Sequence, residues 1–141
     1  MNPKEIIKSL NLQPHPEGGW YTETWRGDQK PRATGTAIYF LLEAHQISDW
    51  HRVDAVEIWH WYAGSPMELH IHTNGATNVQ ILGPDLTASQ HPQRIVPQNA
   101  WQKSIPQDGW VLVGCTVSPG FEFGGFELAK KGWMPRLYDG S

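Results

Sequence analysis

The chain has 141 residues, a formal net charge of −3 at pH 7, eight tryptophans and a single cysteine. This length fits one domain, predicted over residues 1–141, which is large enough to bury a core without disulfides. The lone cysteine excludes an internal disulfide and no apolar run reaches membrane-spanning length, so we expect a cytoplasmic protein with no membrane partner. Without a basic block, the charge also gives no electrostatic case for nucleic acid.

The first residues predict a short helix. Asn2 is a capping residue, Pro3 suits the first helical position, and Glu5 lies three residues after the cap. One apolar stripe then follows at helical spacing, formed by Ile6, Ile7 and Leu10. We expect Pro14 to end this helix, which packs outside the main body of the domain.

The rest of the chain predicts many short strands separated by turns. Side chains alternate between two faces along a strand. Such alternating or apolar segments occur at residues 20–26, 36–43, 67–73, 77–82, 93–97, 101–104 and 110–117. Asn74-Gly75 favours a tight hairpin turn between two of them. Turn signals at intervals of about 8–12 residues predict an all-β sandwich or barrel.

Strand 36–43 is apolar on both of its faces. Ile38, Phe40 and Leu42 share one face, and Tyr39 lies on the other. A strand of this kind is buried on both sides, and only one side can cover the core of a small sandwich. A partner subunit is the simplest cover for the other, so we predict a homodimer. Strand 110–117 has the same two-sided character, and its Cys115 is expected to be a buried, inert thiol.

His51 and Glu57 are the first candidate site residues. A short turn at residues 54–55 lets the two side chains, from consecutive strands, converge on one cavity. Glu57 would orient His51 and raise its pKa, and His51 would then abstract or return a proton. The alternatives are a pocket that binds a ligand without turnover and polar side chains that merely satisfy each other.

The stretch around these residues resembles the first motif of the cupin superfamily. His51, Glu57 and Gly64 fit its spacing, and Val53 stands where the motif has a second histidine. The second cupin motif places Gln102 where metal-binding cupins have their last histidine. The resemblance therefore implies a barrel pocket with an incomplete set of metal ligands.

The closer resemblance is to the cupin-5 family of small single-domain cupins, over roughly residues 4–129. Its separated sequence blocks occur here in order, at residues 15–21, 23–26, 36–42, 48–64, 82–86 and 113–121. The resemblance implies an all-β double-stranded β-helix, the cupin jelly roll, with a short N-terminal helix and a core over about residues 15–129. Residues 130–141 form a C-terminal tail that we expect to be partly disordered.

The leading functional hypothesis rests on analogy with metal-free sugar epimerases of this superfamily. It describes a polar small-molecule pocket in which a sugar or nucleotide-sugar is epimerised or isomerised without a cofactor. His51 would be the base, Glu57 its orienting partner, Tyr39 the acid, and Arg26 or Arg52 the clamp for an anionic group. The remaining ligand-binding candidates near the pocket are Trp59, Trp61, Trp101 and Gln102.

Two other functions stay open from the sequence. One is a metabolite-binding protein without catalysis. The other is a metal-dependent oxygenase or hydrolase whose divalent ion is held by the unusual set of His51, Glu57 and Gln102. His70 and His72 offer a second possible metal pair, because histidines two apart on a strand can chelate zinc or nickel. The competing interpretation of these two histidines is a solvated strand face.

Overall fold

The computed structural model describes residues 1–136 of the chain. In that range the chain forms one α-helix, α1 (Pro3–Leu10), and short 3-10 turns at Leu86–Ala88 and Phe123–Gly125. The strands are β1 (Gln13–Pro14), β2 (Trp20–Arg26), β3 (Thr36–Leu42), β4 (Ser48–Val53), β5 (Val56–Gly64), β6 (Met67–Thr73), β7 (Ala76–Leu82), β8 (Gln90–His91), β9 (Gln93–Val96), β10 (Trp101–Pro106), β11 (Val111–Ser118) and β12 (Phe126–Leu128). Within the described range, no helix is long and apolar enough to cross a bilayer.

Two six-stranded sheets face each other. The first has the order β1-β2-β3-β11-β5-β9, and the second has the order β12-β4-β10-β6-β7-β8. Neighbouring strands are antiparallel except for β7 and β8. β2 has the bounds that the alternation predicts, and the Asn74-Gly75 turn joins β6 to β7 as expected. The strands therefore follow the period-two pattern of the sequence closely.

The segment between β4 and β5 crosses from one sheet to the other. β4 lies in the second sheet and β5 in the first, so residues 54–55 connect the two layers rather than forming a hairpin. The Arg32 guanidinium fixes this crossing by donating to both carboxylate oxygens of Asp54, at 3.0 and 2.7 Å. The crossing brings His51 and Glu57 to facing sides of the interior.

Helix α1 starts as predicted but ends earlier than expected. The Asn2 side chain accepts a hydrogen bond from the Glu5 backbone N–H at 3.0 Å. The expectation that Pro14 ends the helix is wrong, because Asn11 already turns the chain with a left-handed φ of 56°. The helix buries Ile6 against Leu41 on the outer face of the first sheet.

This packing changes the argument for a homodimer. Part of the outer face of β3 is covered by the chain's own helix, so the two-sided apolar pattern does not by itself require a partner subunit. Tyr62 and Ile95 nevertheless remain 48% and 59% exposed on strands of the first sheet. The homodimer stays a prediction.

The interior between the sheets is packed on one side and open on the other. A cluster of fully buried side chains fills the part next to β6 and β7, including Phe40, Trp59, Met67, Leu69 and Leu82. The part next to β2, β4 and β12 encloses a cavity instead. The packed part therefore supports the open part as a rigid scaffold.

The first residues of the predicted C-terminal tail lie against the barrel. Trp133 packs on Trp101 and Trp50, with ring centroids 4.4 and 6.3 Å apart. This contact places the first part of the tail on the second sheet. The expected disorder, where it concerns residues 137–141, lies outside the described residues.

Candidate functional site

A cavity of about 380 Å³ opens between the two sheets. Both sheets contribute to its wall, which combines polar and apolar side chains. The polar or ionisable lining residues are Gln13, His15, Glu17, Tyr21, Thr22, Glu23, Thr36, His51, Glu57 and Cys115. The apolar lining residues are Ile38, Val53, Val117, Phe121, Phe123 and Phe126. A volume of this size suits a small organic molecule.

The loop at residues 15–19 carries Glu17 into the cavity. Gly18 and Gly19 have positive φ angles of 107° and 78°, a backbone region that favours glycine. A Cβ atom on Gly18 would lie only 2.1 Å from the Ile47 carbonyl oxygen. The His15 backbone N–H donates to the Gly19 carbonyl at 2.9 Å and closes the loop. The glycine pair is therefore a structural requirement for the position of Glu17.

Glu17 forms a buried ion pair with His51. The Nε2 atom of His51 lies 2.7 Å from Oε2 of Glu17, and the two side chains are 2% and 7% exposed. The other ring nitrogen, Nδ1, lies 2.7 Å from the Asp49 backbone carbonyl oxygen. A carbonyl only accepts hydrogen bonds, so Nδ1 carries a hydrogen. Both nitrogens of the imidazole are thus occupied.

The surroundings of His51 keep its ring protonated. Burial by itself lowers the pKa, but the charges of Glu17 and Glu57 and the Asp49 carbonyl outweigh it and raise the pKa of His51 to about 9. Burial also raises the pKa of Glu17, but the His51 charge and hydrogen bond outweigh it and hold that pKa below its usual value. At neutral pH the pair is an imidazolium and a carboxylate.

Glu57 lies in the same cavity without a cationic hydrogen-bond partner. The Gln102 amide donates from Nε2 to Oε1 of Glu57 at 2.8 Å. The Trp59 indole N–H in turn donates to Oε1 of Gln102 at 2.9 Å. Gln102 thus holds the Glu57 carboxyl in place, and Trp59 holds Gln102. Both supporting side chains are buried and neutral.

Glu57 is an unusually weak acid for a carboxyl group, and the Gln102 hydrogen bond opposes this shift in pKa rather than causing it. Burial, reinforced by the nearby Glu17 charge, raises the pKa of Glu57 to about 7, although the His51 charge opposes the shift. Burial and the adjacent Glu57 also raise the pKa of the Cys115 thiol well above its usual value, in agreement with the expectation of an inert thiol. Glu57 is therefore a cavity group poised to gain or lose a proton near neutral pH.

His15 is a neutral polar group on the cavity wall. Its Nδ1 accepts a hydrogen bond from the Glu17 backbone N–H at 3.1 Å, so the ring hydrogen is on Nε2. Burial and the His51 charge lower the pKa of His15, against the opposing charge of Glu17. Its ring packs edge-on against Tyr21, with centroids 4.5 Å apart.

Tyr39, Arg26 and Arg52, which the leading hypothesis assigns to the site, are not among the residues that line the cavity. Tyr39 is on the outer face of β3, where it packs with the helix cluster. Arg26 is bound to Glu23 at 2.8 Å and to the Phe121 carbonyl, and it does not line the cavity. The outward face of each residue is set by strand alternation, which the sequence does not orient when both faces carry similar residues.

Arg52 also points away from the cavity. Its guanidinium lies 2.7 Å from the Glu127 carboxylate and 4.6 Å from the ring centre of Trp101. Arg52 and Trp101 thus form a surface contact on the second sheet. Neither candidate arginine is among the residues that line the cavity, so the structure gives no support to an arginine clamp inside it.

The other predicted ligand-binding residues support the cavity or lie elsewhere. Trp59 and Gln102 are fully buried and act behind Glu57. Trp61 donates from its indole N–H to the Ser65 carbonyl at 3.1 Å and packs against the core. Of the sequence-predicted residues, only His51 and Glu57 line the cavity.

The residues present do not fit a cupin metal site. Both ring nitrogens of His51 are occupied, and Val53 offers no ligand where the motif has a second histidine. The Gln102 amide is occupied by Trp59 and Glu57. Between residues 1 and 136, no three histidine, cysteine or carboxylate side chains are grouped so that they could hold a metal ion.

The second possible metal pair also has other partners. Nε2 of His70 lies 2.9 Å from the Glu68 carboxylate. Nδ1 of His72 lies 2.7 Å from the Thr77 hydroxyl. The two histidines thus have separate partners, and His72 is only 8% exposed, so a solvated strand face does not describe it. The metal pair stays a prediction.

Sequence reasoning missed Glu17 and His15, as well as the aromatic wall formed by Phe121, Phe123 and Phe126. In the sequence, the segment that holds Glu17 contributes only to the family resemblance, as residues 15–21. The available signal was a carboxylate directly before two glycines, flanked by a histidine. Such glycines allow close approach of the backbone to other groups, and can place a neighbouring side chain in the interior.

Comparison with known proteins identifies relatives over most of the chain. The family model described as the cupin superfamily (DUF985), Cupin_5, matches residues 4–129. A solved protein of Shewanella oneidensis is 38% identical, with a TM-score of 0.88 over 92% of this chain and 85% of its own. A hypothetical protein from Leishmania major is 31% identical, with a TM-score of 0.86 over 92% of this chain and 88% of its own.

A more distant structure supports the fold alone. It is an uncharacterised protein with a double-stranded β-helix domain from Klebsiella pneumoniae, 13% identical, with a TM-score of 0.62 over 89% of this chain and 95% of its own. No curated protein matches the chain significantly. The predicted all-β double-stranded β-helix with a short N-terminal helix is confirmed, and the chain belongs to the Cupin_5 family of the cupin superfamily.

Proposed function

We propose that this protein is a metal-independent isomerase that moves a proton within a small polar molecule held in the cavity. The observation that carries the proposal is Glu57, a cavity-lining carboxyl that is 7% exposed and has a pKa raised to about 7. A group with that pKa is about half ionised at neutral pH, so it both accepts and returns a proton efficiently.

In the proposed reaction Glu57 is the base, rather than His51. The His51 ring holds its proton at neutral pH, because its pKa is about 9 and both nitrogens are bound. A group in this state is not a base. Its positive charge is paired with Glu17 beside the cavity, where it helps to stabilise the negative charge that develops as the substrate reacts.

The proposed step is a proton shift between neighbouring carbon atoms of a hydroxy carbonyl compound. The Glu57 carboxylate accepts a proton from the carbon next to the carbonyl, and the electron pair of that C–H bond enters the resulting enediolate. The substrate hydroxyl proton passes to the former carbonyl oxygen. The Glu57 carboxyl then returns its proton to the carbon that carried the carbonyl, which restores the carboxylate.

The cavity favours isomerisation over epimerisation. Inversion of one carbon in a fixed substrate needs an acid on the face opposite to the base. Tyr39 was the candidate for that acid, and it lies on the outer face of β3. One carboxyl group is enough for the proton shift, because the proton leaves and returns on the same face of the substrate.

The lining also favours a substrate without phosphate groups. In the described part of the chain, no lysine or arginine lines the cavity. Proteins usually hold phosphate with these side chains or with backbone N–H groups at a helix start, and neither is present at the cavity wall. A nucleotide-sugar substrate is therefore disfavoured, and the substrate is a small unphosphorylated carbonyl compound.

Deuterium exchange tests the proposal. The purified protein is incubated in D₂O with a panel of sugars and other hydroxy carbonyl compounds, and loss of C–H signal is followed by NMR. We expect exchange with at least one compound, reduced about 100-fold or more in Glu57→Gln. The matched control is Glu127→Gln, which removes a surface carboxylate bound to Arg52 and should keep the wild-type rate.

No exchange across the panel would overturn this proposal. It would leave the interpretation of the protein as a metabolite binder, which predicts thermal stabilisation by a ligand without turnover. Equal exchange by the wild type and Glu57→Gln would likewise show that another group moves the proton.

A further inference from the structure

We infer that the natural substrate of the cavity carries a positive charge, as an ammonium group on a compact organic molecule. This inference rests on the proposed function, because it names the class of molecule that occupies the same cavity. It follows from two independent features of the wall, which are its charge and its aromatic rings.

The unmatched charge of the cavity wall is negative. Among residues 1–136, His51 is the one cationic lining group, and Glu17 matches it at 2.7 Å. The lining carboxylate of Glu23 is matched by Arg26 at 2.8 Å. Glu57 is the third lining carboxyl, and its hydrogen bond comes from the neutral Gln102 amide.

The remaining ionisable side chains of the wall do not change this balance. Burial lowers the pKa of His15, so this ring is neutral at neutral pH. Burial raises the pKa of the Cys115 thiol well above its usual value, so it is neutral too. Tyr21 contributes a phenol hydroxyl. An ionised Glu57 is thus the charge that a bound ligand meets, and a cation is the complement of that charge.

Three phenylalanine rings of the cavity wall pack on one another. Phe121 and Phe126 have ring centroids 5.7 Å apart, and Phe123 lies 6.0 Å from Phe126. Tyr21 also lines the cavity. The faces of aromatic rings attract cations, and several rings together with a carboxylate are a common arrangement for holding an ammonium group.

An ammonium group would also assist the proposed chemistry. A positive charge near the reacting carbon makes its C–H bond more acidic and offsets the charge of the enediolate. An anionic substrate would instead meet the ionised Glu57 and the negative faces of the rings. The ionised Glu57 and the aromatic rings therefore both favour a positively charged ligand.

The test compares ligands that share a shape and differ in charge. One pair is choline and its uncharged carbon isostere dimethylbutanol, and a second is butylamine and butanol. Affinities are measured by NMR titration of the protein. We expect the cation of at least one pair to bind about tenfold more tightly than its uncharged partner at about pH 8.

The pH dependence of affinity provides the second readout. The cation should bind about tenfold more tightly at about pH 8 than at about pH 6, because Glu57 ionises through a pKa of about 7. The uncharged partner should bind equally at both values. Glu57→Gln should lose the preference for the cation and its pH dependence, whereas Glu127→Gln should keep both.

Uncharged partners that bind as tightly as the cations, or no measurable binding of any cation, would overturn the inference. The outcome is separable from that of the proposed function. Deuterium exchange in uncharged compounds without a preference for cations contradicts this inference alone. A preference for cations without exchange in any compound contradicts the proposed isomerase alone.

Discussion

Glu17 and Glu57 place the same functional group, a carboxyl, in one cavity but differ in its ionisation. Glu17 and Glu57 are each 7% exposed, and burial acts on both in the same direction. The pKa of Glu17 is nevertheless lowered, and that of Glu57 is raised to about 7. The difference comes from their partners, which are the His51 imidazolium and the Gln102 amide respectively.

The partner therefore decides what each carboxyl does. An ionic partner holds Glu17 as a carboxylate and keeps His51 charged, which suits a structural and electrostatic role. A neutral partner holds Glu57 in place without fixing its charge, which suits proton transfer. A histidine and two carboxylates in one cavity thus divide into a fixed pair and a single group that titrates.

The largest expected effect separates these two roles by stability. Glu17→Gln leaves His51 buried without its counter-charge, so we expect a loss of about 3–5 kcal/mol in the free energy of unfolding. Glu57→Gln replaces a carboxyl whose raised pKa already costs stability at neutral pH, so we expect no loss and a gain of up to about 3 kcal/mol. Urea unfolding of both variants measures the difference.

Histidine NMR adds a direct readout to this pair of variants. In the wild type, the His51 ring should stay protonated up to about pH 9. In Glu17→Gln, burial without the ion pair should bring the pKa of His51 below its usual value. Equal stability losses in the two variants, or an unchanged His51 titration, would contradict the division of roles.

A second, smaller effect concerns the pH dependence of stability in the wild type. His51 and Glu57 have raised pKa values, so the folded state binds their protons more tightly than the unfolded state. The Glu57 contribution is complete below the ordinary glutamate pKa of 4.5 and is lost as the pH rises through about 7. The His51 contribution is complete below 6.5 and is lost as the pH rises through about 9.

The contribution of each residue to the free energy of unfolding is on the order of 3 kcal/mol, which follows from the size of its pKa shift. Glu17 acts in the opposite sense, because its lowered pKa gives stability that is lost as the solution becomes acidic. We therefore expect maximal stability in mildly acidic solution and a decline above it. In Glu57→Gln, the part of this decline that lies below neutral pH should vanish. Wild-type stability that rises steadily towards alkaline pH would contradict the raised pKa values of His51 and Glu57.

The fold was predictable because strand alternation is a local property. β2 occupies the residues that alternate, and the hairpin between β6 and β7 forms at Asn74-Gly75. The meeting of His51 and Glu57 was predictable too, since a short turn separates their strands. These features depend on residues close together in the sequence.

The partners of those two residues were not predictable in the same way. Glu17 reaches His51 from a distant loop, and Gln102 reaches Glu57 from a strand of the other sheet. The sequence also cannot tell which face of a two-sided apolar strand points inward, which is why Tyr39 was placed in the cavity. Only tertiary packing, here the helix over Leu41, decides that face.

The smallest expected effect tests whether the loop before β2 exists to place Glu17. Gly18→Ala adds a methyl group that would lie 2.1 Å from the Ile47 carbonyl oxygen, at a φ of 107°. We expect a stability loss of about 2 kcal/mol, because the loop must shift or remain strained. Gly124→Ala is the matched control, since its methyl group would meet no atom within 4 Å, and we expect a change within about 0.5 kcal/mol.

The pKa of His51 in these two glycine variants shows whether the loop also sets the position of Glu17. A shifted loop should lengthen the contact between Glu17 and His51, so Gly18→Ala should lower the pKa of His51 in the NMR titration while Gly124→Ala leaves it at about 9. The pKa of Glu57 should respond less, because Gln102 and Trp59 hold that carboxyl from the other side. A stability loss without any change in the His51 titration would mean that the glycine pair serves the loop alone, and that Glu17 keeps its position by the ion pair itself.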